Sequence, residues 1–448
     1  MYFMKCILNL NYVLRKDGHN TFYLYNKVCL TTYYITYKLY VFLSLFRKSA
    51  IDLNEVLCSF EKEGIETNDI MEFLQKTEFN DVLVPVKKEI LLFEDYLKPK
   101  GLSSITAPSP QRVDFFITKH CNLACKHCFE GASPKFSIRQ LSRNEIMHFL
   151  AQLNGADIKT LKITGGEPFT HPAIDDIIEL LPRCNFETMI LTNALLLTDE
   201  RIIALKKAHV QLGISLDGIS ADTYDYIRGH GCFKRLTSVL KKLSQNNIKF
   251  SLTCTVNAVN IKELDKLIEY VLDNLHAESL FLNRLRPIGR GNEIQSLALS
   301  EEENSYVVSL YLKMKEQYGM RIILSDDAFI DENISQKDNS VSCAAGNTII
   351  AVDENFDVYP CIYAVGHKEY IMGNLQTSNV GDVWGKKKWD IFRGKLKVEQ
   401  LKDCVDCALN DVCKIKNCRL KPVFEGRSFL SSVSYCKGNV DLKQKSYE

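Results

Sequence analysis

The strongest constraint on this chain is a regular alternation of strand and helix patterns through its middle. Short runs rich in β-branched and aromatic residues alternate with amphipathic stretches between residues 113 and 287. Such alternation predicts a parallel sheet covered by helices, and six units favour an open, partial (β/α)6 TIM-like barrel over a closed eight-stranded one. The predicted strands are residues 113–118, 160–164, 188–193, 210–217, 249–257 and 279–287. We therefore predict an α/β fold with its chemistry at the carboxyl ends of the strands.

Charge and hydropathy argue against two broad classes of function. The 448 residues include 56 Lys and Arg against 55 Asp and Glu, and a net charge of +1 provides no long-range field for nucleic acid or an anionic membrane. Residues 28–46 are the one candidate membrane span, but Lys38 at their centre costs an inserted helix about 2.5–3.5 kcal/mol. No small-residue cleavage site follows them. We therefore expect a cytoplasmic protein with no membrane span and no nucleic-acid partner.

The cysteines indicate metal ligation. Most of the 16 cysteines fall in tight groups, which in a cytosolic protein are typical of metal sites. Cys121, Cys125 and Cys128 follow the first predicted strand with the spacing C-x3-C-x2-C. Three thiolates can hold three irons of a [4Fe–4S] cluster and leave the fourth iron for a non-protein ligand, whereas ferredoxins use four cysteines per cluster. The sequence therefore predicts an open cluster at the mouth of the barrel.

This motif, after the first strand of a six-fold β/α unit, resembles the radical S-adenosylmethionine (SAM) superfamily. The resemblance implies that the open iron chelates SAM and that reductive cleavage of SAM yields a 5′-deoxyadenosyl radical that abstracts hydrogen. It also implies SAM contacts at the ends of later strands, where a single polar residue or a Gly-Gly pair would otherwise be read as a cap or a turn. Among them, Arg228 suits the SAM carboxylate, and His127 is predicted to lie near the adenine unless it is a structural histidine. The implied SAM-binding residues are His127, Gly165, Gly166, Glu167, Thr192, Asn193, Ser215, Asp217 and Arg228.

Seven cysteines towards the C-terminus form a second pattern. Their spacing is C-x17-C, a gap, C-x2-C-x5-C-x4-C, a second gap and a last cysteine. This resembles the SPASM domain, which holds two auxiliary [4Fe–4S] clusters in peptide-modifying radical SAM enzymes. The ligands implied by the resemblance are Cys404, Cys407, Cys413 and Cys436 for an outer cluster, and Cys343, Cys361 and Cys418 for an inner cluster.

Departures from the SPASM pattern leave alternatives open. The spacing before Cys418 is one residue longer than usual, and Phe356 stands where the family often has glycine. Residues 330–342 contain no cysteine that could supply a fourth ligand, so the inner cluster is either open at one iron or completed from elsewhere. A zinc site formed by the cysteines at 404, 407, 413 and 418 is the competing interpretation, but it leaves the other three cysteines unexplained.

Residues 11–92 are predicted to form a separate N-terminal domain. Asp17-Gly18 between alternating segments indicates a hairpin, and three helical patterns follow, with Asp52 and Asn68 as the N-caps of the second and third. This order suggests a winged-helix-like peptide-binding domain, the alternative being an arbitrary extension. A linker rich in Pro, Gly and Ser at 97–111 precedes a radical SAM core at 112–320, and the SPASM region is predicted at 340–440.

The order of regions resembles maturases that act on ribosomally made precursor peptides. That resemblance implies capture of the precursor's leader at a sheet edge, an electron donor such as flavodoxin or ferredoxin, and sulfur-to-α-carbon thioether crosslinks as in sactipeptide (bacteriocin) maturation. Carbon–carbon crosslinking is one alternative. Another is oxidation of the anaerobic sulfatase-maturase type, which implies an Asp base where this chain has Ile362. A non-enzymatic regulator would require intact cluster motifs to be relics. No catalytic residue is assigned beyond the cluster.

We expect anaerobic reconstitution to give about 8–12 irons per chain, as the ten assigned cysteines imply. Replacing Cys121, Cys125 and Cys128 together by Ala should remove about four irons and all SAM cleavage, because the SAM-binding cluster loses every protein ligand. Iron analysis and a SAM-cleavage assay measure both effects, and Cys58→Ala, outside both patterns, is the control. Iron content unchanged by the triple substitution, or zinc as the main metal, would contradict the assignment.

Overall fold

The structure is a computed structural model, and the chain is described here in the ranges that it places. These are residues 5–8, 12–16, 22–26, 31–46, 51–76, 82–85, 109–285, 289–324, 343–393, 396–401, 403–405, 418–424 and 426–432. Within them no helix is long and apolar enough to cross a membrane.

The N-terminal region forms an α/β unit with its own hydrophobic core. Its elements are β1 (Lys5–Leu8), β2 (Tyr12–Lys16), β3 (Phe22–Asn26), β4 (Thr31–Ile35), α1 (Tyr37–Leu45), β5 (Ile51–Asp52), α2 (Leu53–Lys62), α3 (Asn68–Gln75) and β6 (Leu83–Pro85). The described strands pair antiparallel in two small sheets, in the orders β5-β1-β6 and β2-β3-β4. Leu14, Leu24 and Phe42 are fully buried between these strands and the helices.

Of the local predictions for this region, the hairpin and the first of the two helix caps are confirmed. The β2–β3 pairing is the predicted hairpin, although Asp17-Gly18 themselves lie outside the described residues. Asp52 caps α2 as predicted, since its Oδ1 accepts the backbone N–H groups of Asn54 at 2.9 Å and Glu55 at 3.2 Å. The prediction for α3 was wrong by one residue, because Thr67 holds the N-cap position and Asn68 begins the helix. A winged-helix assignment remains a prediction.

The middle of the chain confirms the strand–helix alternation. Its main elements are β7 (Arg112–Thr118), α4 (Arg143–Gly155), β8 (Thr160–Gly165), α5 (Ala173–Leu180), β9 (Glu187–Thr192), α6 (Asp199–Lys207), β10 (Gln211–Ser215), α7 (Ala221–Arg228), α8 (Cys232–Gln245), β11 (Phe250–Val256), α9 (Leu264–Glu269), β12 (Leu280–Arg284), α10 (Glu301–Tyr318) and β13 (Ile322–Leu324). Strands β7 to β13 pair in parallel in chain order. All six predicted strands are present, and β13 extends the sheet past β12. β7 is buried along nearly its whole length, as expected of a strand covered on both faces.

The C-terminal region extends the same sheet. β14 (Ile349–Val352) pairs in parallel with β7, and β15 (Asp357–Tyr359) and β16 (Gly373–Asn374) follow in antiparallel order. Two short helices are described beyond them, α11 (Val380–Trp384) and α12 (Leu420–Phe424). Most described buried residues of this region belong to the same hydrophobic core as the barrel, and Val398, Leu401 and Cys404 form a small separate cluster. The region that carries the second group of cysteines is therefore continuous with the barrel sheet.

Phe356 attaches the turn between β14 and β15 to the barrel. Its backbone has a φ of 62°, in the left-handed region that favours glycine, yet the side chain is only 2% exposed. The ring centroid lies 6.0 Å from that of Phe115 on β7 and 5.4 Å from that of Phe149 on α4. At this position, where the resemblance predicts glycine, backbone strain is offset by the burial of an aromatic ring.

We expect Phe356→Ala to lower the free energy of unfolding by about 3–5 kcal/mol, because it removes a buried ring. Phe356→Gly loses the same ring but relieves the positive φ, so it should be destabilised by about 1 kcal/mol less than the Ala variant. Thermal midpoints of the two variants and of the parent protein measure this order. If the Gly variant is the less stable of the two, backbone strain does not contribute at this turn.

Candidate functional site

Three cysteines lie at the carboxyl ends of the barrel strands. Cys121, Cys125 and Cys128 are in the loop after β7, the first two buried and the third half-buried. All three line a cavity of about 360 Å³, a volume typical of small-molecule sites. Of the nine residues predicted to contact SAM, eight also line this cavity, and Asp217 does not.

The start of the cysteine loop packs against the Gly-Gly pair at the end of β8. The Gly166 N–H donates to the Thr118 carbonyl oxygen at 2.7 Å, and the Glu167 N–H donates to that of His120 at 2.9 Å. A Cβ on Gly166 would lie 2.0 Å from the His120 carbonyl oxygen, and one on Gly165 would lie 2.3 Å from that of Thr118. No side chain fits at these distances, so both glycines are required for the backbone to approach the loop directly before Cys121.

The end of the loop is held by the segment after β12. The Arg290 N–H donates to the Cys128 carbonyl oxygen at 3.1 Å, and Arg290 Nε donates to that of Cys125 at 2.9 Å. Gly289, at a φ of 60°, lies so close that a Cβ would approach the Phe129 carbonyl oxygen to 2.2 Å. The described part of that segment fixes the cysteine loop, and Arg290 also lines the cavity.

The surroundings of the thiols suit an iron–sulfur cluster. The Leu123 N–H approaches the Cys121 sulfur at 3.4 Å, Asn193 Nδ2 lies 3.9 Å from the same atom, and Arg228 Nη1 lies 3.8 Å from the Cys125 sulfur. Arg290 Nη2 is buried without a hydrogen-bond partner among the described residues. Donors around sulfur stabilise thiolates and cluster sulfides.

Burial raises the pKa of Cys121 to about 12 and also raises the pKa of Cys125. Metal binding must therefore displace protons from these thiols.

In the described part of the chain, no three Cys, His, Asp or Glu side chains converge closely enough to enclose a single metal ion. The three cysteines instead surround a larger space, and a polynuclear cluster needs more space than a single ion.

Glu167 connects the second and third strand ends from inside the protein. Its carboxylate accepts hydrogen bonds from the Thr192 hydroxyl at 2.8 Å and from the backbone N–H groups of Asn193 at 2.7 Å and Phe169 at 3.1 Å. Burial raises its pKa to about 7, although these hydrogen bonds act in the opposite direction. Asn193 in turn donates to Asn122 Oδ1 at 2.8 Å, next to Cys121. Glu167 therefore positions the strand-three loop against the cysteine loop.

Asp217 lies behind the cavity and holds two of its lining side chains. Its Oδ2 accepts from Arg228 Nε at 2.6 Å and from His127 Nε2 at 2.7 Å, and its Oδ1 accepts from the Thr255 N–H at 2.7 Å. Burial alone would raise the pKa of Asp217, but the charge of Arg228 and the contact with His127 outweigh it and hold that pKa well below its usual range. Asp217 therefore stays ionised and fixes Arg228 and His127 at the edge of the cavity.

Several cavity residues were not predicted from the sequence. Glu130 and Tyr363 both line the cavity, as does Ile362, whose position was considered only as a missing base. Glu130 is two residues beyond Cys128, and this closeness in the sequence was the only signal that could have identified it. Tyr363 could not have been found, because it reaches the cavity through the pairing of β14 with β7.

The second group of cysteines is partly described. Burial raises the pKa of Cys361, and the nearby Cys418 and Cys343 raise it further, so these three thiols are close enough to interact. Cys404 is buried in a separate small cluster with Val398 and Leu401. Cys407, Cys413 and Cys436 lie outside the described residues. The assignment of these cysteines to an inner and an outer cluster therefore stays a prediction.

Fold and site together define an enzyme with a parallel sheet and a cysteine-lined cavity at its strand ends. Residues 115–271 match the radical SAM superfamily, and residues 343–408 match the SPASM iron–sulfur cluster-binding domain. The chain is a radical SAM enzyme with a SPASM domain. It is related both to peptide maturases and to a heme synthase, as the individual comparisons indicate.

Three similar proteins illustrate this relationship. An AdoMet-dependent heme synthase of Methanosarcina barkeri is 26% identical over 347 residues, which cover 73% of this chain and 96% of that protein. The subtilosin biosynthesis protein AlbA of Bacillus subtilis is 27% identical over 317 residues, 68% of this chain and 67% of that protein. The crystal structure of Streptococcus suis SuiB bound to its precursor peptide SuiA has the same fold, with a TM-score of 0.65, 15% identity and coverage of 96% of this chain and 100% of that one.

We expect Gly166→Ala to abolish SAM cleavage and to remove about four irons per chain, because its Cβ would displace the backbone next to Cys121. The matched control is Gly131→Ala in the same loop, where a Cβ meets nothing within 4 Å. That control carries a positive-φ cost of about 1–2 kcal/mol without a clash and should retain its iron. Equal iron loss in both variants would show that loop strain, rather than the close approach, decides cluster binding.

Proposed function

We propose that this enzyme modifies a ribosomally made precursor peptide and forms sulfur-to-α-carbon thioether crosslinks. The observation that carries the proposal is the fold match to precursor-bound SuiB over 96% of the chain. Such a match omits only about 4% of 448 residues, roughly 18, so it includes most of the N-terminal unit. That unit is a peptide-binding candidate in a chain whose barrel carries a cavity suited to radical chemistry.

The residues around the cavity have separate tasks in this proposal. Cys121, Cys125 and Cys128 ligate the [4Fe–4S] cluster, which with bound SAM supplies the capacity to remove a hydrogen atom from an unactivated C–H bond. The exposed backbone of Gly165 and Gly166 approaches the SAM amino group. Arg228, oriented by Asp217, pairs with the SAM carboxylate through its remaining N–H groups.

Other residues of the same cavity complete the proposed SAM site. Thr192, Asn193 and Ser215 present polar groups at the ends of β9 and β10. His127, whose ring is fixed by Asp217, borders the adenine. Thioether formation removes two hydrogens from the peptide and needs no protein base at the α-carbon. The α-carbon hydrogen would leave as an atom to the radical derived from SAM, the thiol hydrogen would leave as a proton, and the remaining electron would pass to an auxiliary cluster.

The C-terminal cysteines hold two auxiliary clusters in this proposal. Cys343, Cys361 and Cys418 ligate the inner cluster, and the outer one takes the cysteines at 404, 407, 413 and 436. Ile362, directly after Cys361, lines the cavity beside the inner ligands. A small electron carrier such as flavodoxin or ferredoxin delivers the reducing electron.

Ile362 also disfavours one alternative. Oxidation of the sulfatase-maturase type implies a carboxylate base at this position, and the chain instead presents an aliphatic side chain to the cavity. Carbon–carbon crosslinking of a precursor uses the same site and stays open.

Heme synthesis is a second candidate, favoured by the match to 96% of the heme synthase. That match, however, covers 73% of this chain and leaves about a quarter of the chain unmatched. Residues 1–108 alone make up about a quarter of the chain. Heme synthesis therefore leaves a part of the chain as large as the N-terminal region without a role.

The N-terminal unit offers a sheet edge for the leader. β4 is the last strand of the β2-β3-β4 sheet, and no other described strand pairs with its outer edge. Tyr34 on this strand is 78% exposed, and Tyr37 just beyond it is 64% exposed. An extended peptide can add to such an edge through main-chain hydrogen bonds, while exposed aromatic side chains provide additional contact area. We therefore assign leader binding to β4 within residues 11–92.

The proposal predicts that a short, cysteine-containing peptide encoded beside this gene is a substrate. Reaction with this peptide, SAM and a reductant should remove two hydrogens for each crosslink and consume one cysteine thiol, as measured by mass spectrometry with and without alkylation. Loss of hydrogens with every thiol intact would favour carbon–carbon crosslinks. Turnover of a porphyrin without peptide modification would favour heme synthesis and overturn the proposal.

We expect deletion of residues 1–95 to lower kcat/KM for the precursor by roughly 100-fold or more, because the tether no longer raises the local peptide concentration. Reductive SAM cleavage should be retained. A leaderless peptide with the full-length enzyme is the matched control and should show the same loss. The truncated enzyme with the leaderless peptide should then have the same kcat/KM as either change gives alone, because both changes remove the same interaction. Full-length rates for the truncated enzyme would exclude a leader-binding role.

A further inference from the structure

Arg419 is a buried arginine among the C-terminal cysteines. It directly follows Cys418, and the residue is only 2% exposed. Its Nη1 donates to the carbonyl oxygens of Phe429 at 3.3 Å and Ser431 at 3.1 Å. Its Nε and Nη2 are buried, and among the described residues neither has a hydrogen-bond partner. Because unmet N–H groups on a buried cation are costly, a further acceptor is expected beside them.

The groups that act electrostatically on Arg419 are mainly sulfur. Burial lowers the pKa of Arg419, and the nearby Cys404, Cys418 and Cys343, together with Asp403, act in the opposite direction. Cys404 belongs to the proposed outer cluster, whereas Cys418 and Cys343 belong to the inner one. Arg419 is therefore within electrostatic reach of ligands from both sets.

No carboxylate competes for this guanidinium in the described ranges. Asp403 Oδ2 accepts the Ser432 N–H at 2.8 Å and the Ser432 hydroxyl at 3.0 Å, and it lies 3.8 Å from Arg427 Nη2. Arg419 forms no ion pair with any described Asp or Glu. Its positive charge is thus left to balance the negative charge of thiolates and clusters.

We propose that Arg419 donates its Nε–H and Nη2–H to sulfur atoms of the auxiliary clusters and raises their reduction potentials. This inference rests on the cluster assignment in the proposed function. One-electron reduction adds a negative charge to a cluster, and a fixed cation with N–H donors to sulfur stabilises the reduced form. Because Arg419 is near proposed ligands of both auxiliary clusters, it raises the reduction potentials of both. It is a positioning residue that acts through the clusters.

A purely structural role makes a different prediction. If Arg419 served only to hold Phe429 and Ser431 through Nη1, its replacement would change stability and leave the potentials of the retained clusters unchanged. The reduction potential is therefore the readout that separates the two roles.

The test uses the full-length chain with Cys121, Cys125 and Cys128 replaced by Ala, so that only auxiliary clusters contribute. Arg419→Gln, Arg419→Lys and Arg427→Gln are compared in this background by iron analysis and by anaerobic redox titration followed by electron paramagnetic resonance. Arg427 is the matched control, since its side chain is 38% exposed and it lies in the same segment beside Asp403.

We expect Arg419→Gln to lower the constant for one-electron reduction at least tenfold, a shift of about 59 mV to more negative potential. Arg419→Lys, which keeps the charge but not the planar fork, should shift less in the same direction, and Arg427→Gln should not shift. Clusters retained at the parent potential in Arg419→Gln would overturn the inference. If the Gln variant loses its clusters, a parent-like potential in Arg419→Lys overturns it instead. Absence of iron in the background protein with Arg419 intact would reject the cluster assignment itself, and the inference with it.

Discussion

The backbone before Cys121 packs directly against the Gly-Gly pair at the end of β8, and the rest of the site depends on this contact. Two hydrogen bonds, from Gly166 to Thr118 and from Glu167 to His120, fasten one loop to the other. Any Cβ at either glycine would separate them. The cysteine loop is therefore held against the strand ends next to the Gly-Gly backbone, which is the arrangement that the proposed cluster and SAM site require.

Two buried carboxyl groups then fix the side chains around that loop. Asp217 is fully buried, and its carboxylate accepts from Arg228, His127 and a backbone amide. Glu167 is also fully buried and does the same for the neighbouring strand end. Each carboxyl group has several hydrogen-bond donors around it, as a buried polar group requires, and only Asp217 is also held ionised by a neighbouring cation. The arrangement holds cavity residues in place before any ligand binds, which reduces the ordering cost of binding.

Continuity of the sheet brings the two cysteine groups together. β14 pairs with β7, the strand that leads to Cys121, and the chain then passes through β15 to Cys361. Ile362 and Tyr363 consequently line the same cavity as the loop of Cys121, Cys125 and Cys128. A peptide held between the barrel mouth and the C-terminal region would be close to both, so radical formation and the proposed auxiliary clusters can act on one substrate. Arg419 lies close enough to Cys404, Cys418 and Cys343, the described cysteines proposed as auxiliary ligands, to interact with them electrostatically.

Sequence alone determined the features that depend on local periodicity and spacing. The six parallel strands, the β2–β3 hairpin, the cap at Asp52 and the C-x3-C-x2-C loop all follow from short-range signals, because each is encoded within a few consecutive residues. Even there, the N-cap of α3 was displaced by one residue, since Thr67 and Asn68 are both plausible caps and local pattern does not choose between them.

Tertiary structure alone decided which side chains meet. His127 and Asp217 are 90 positions apart, and Asp217 lies behind the cavity because Arg228, His127 and Thr255 converge on it. The pairing of β14 with β7, which brings Tyr363 to the site, joins segments more than two hundred residues apart. Such contacts depend on how twisted strands and helices close around one core, and no local pattern records that closure.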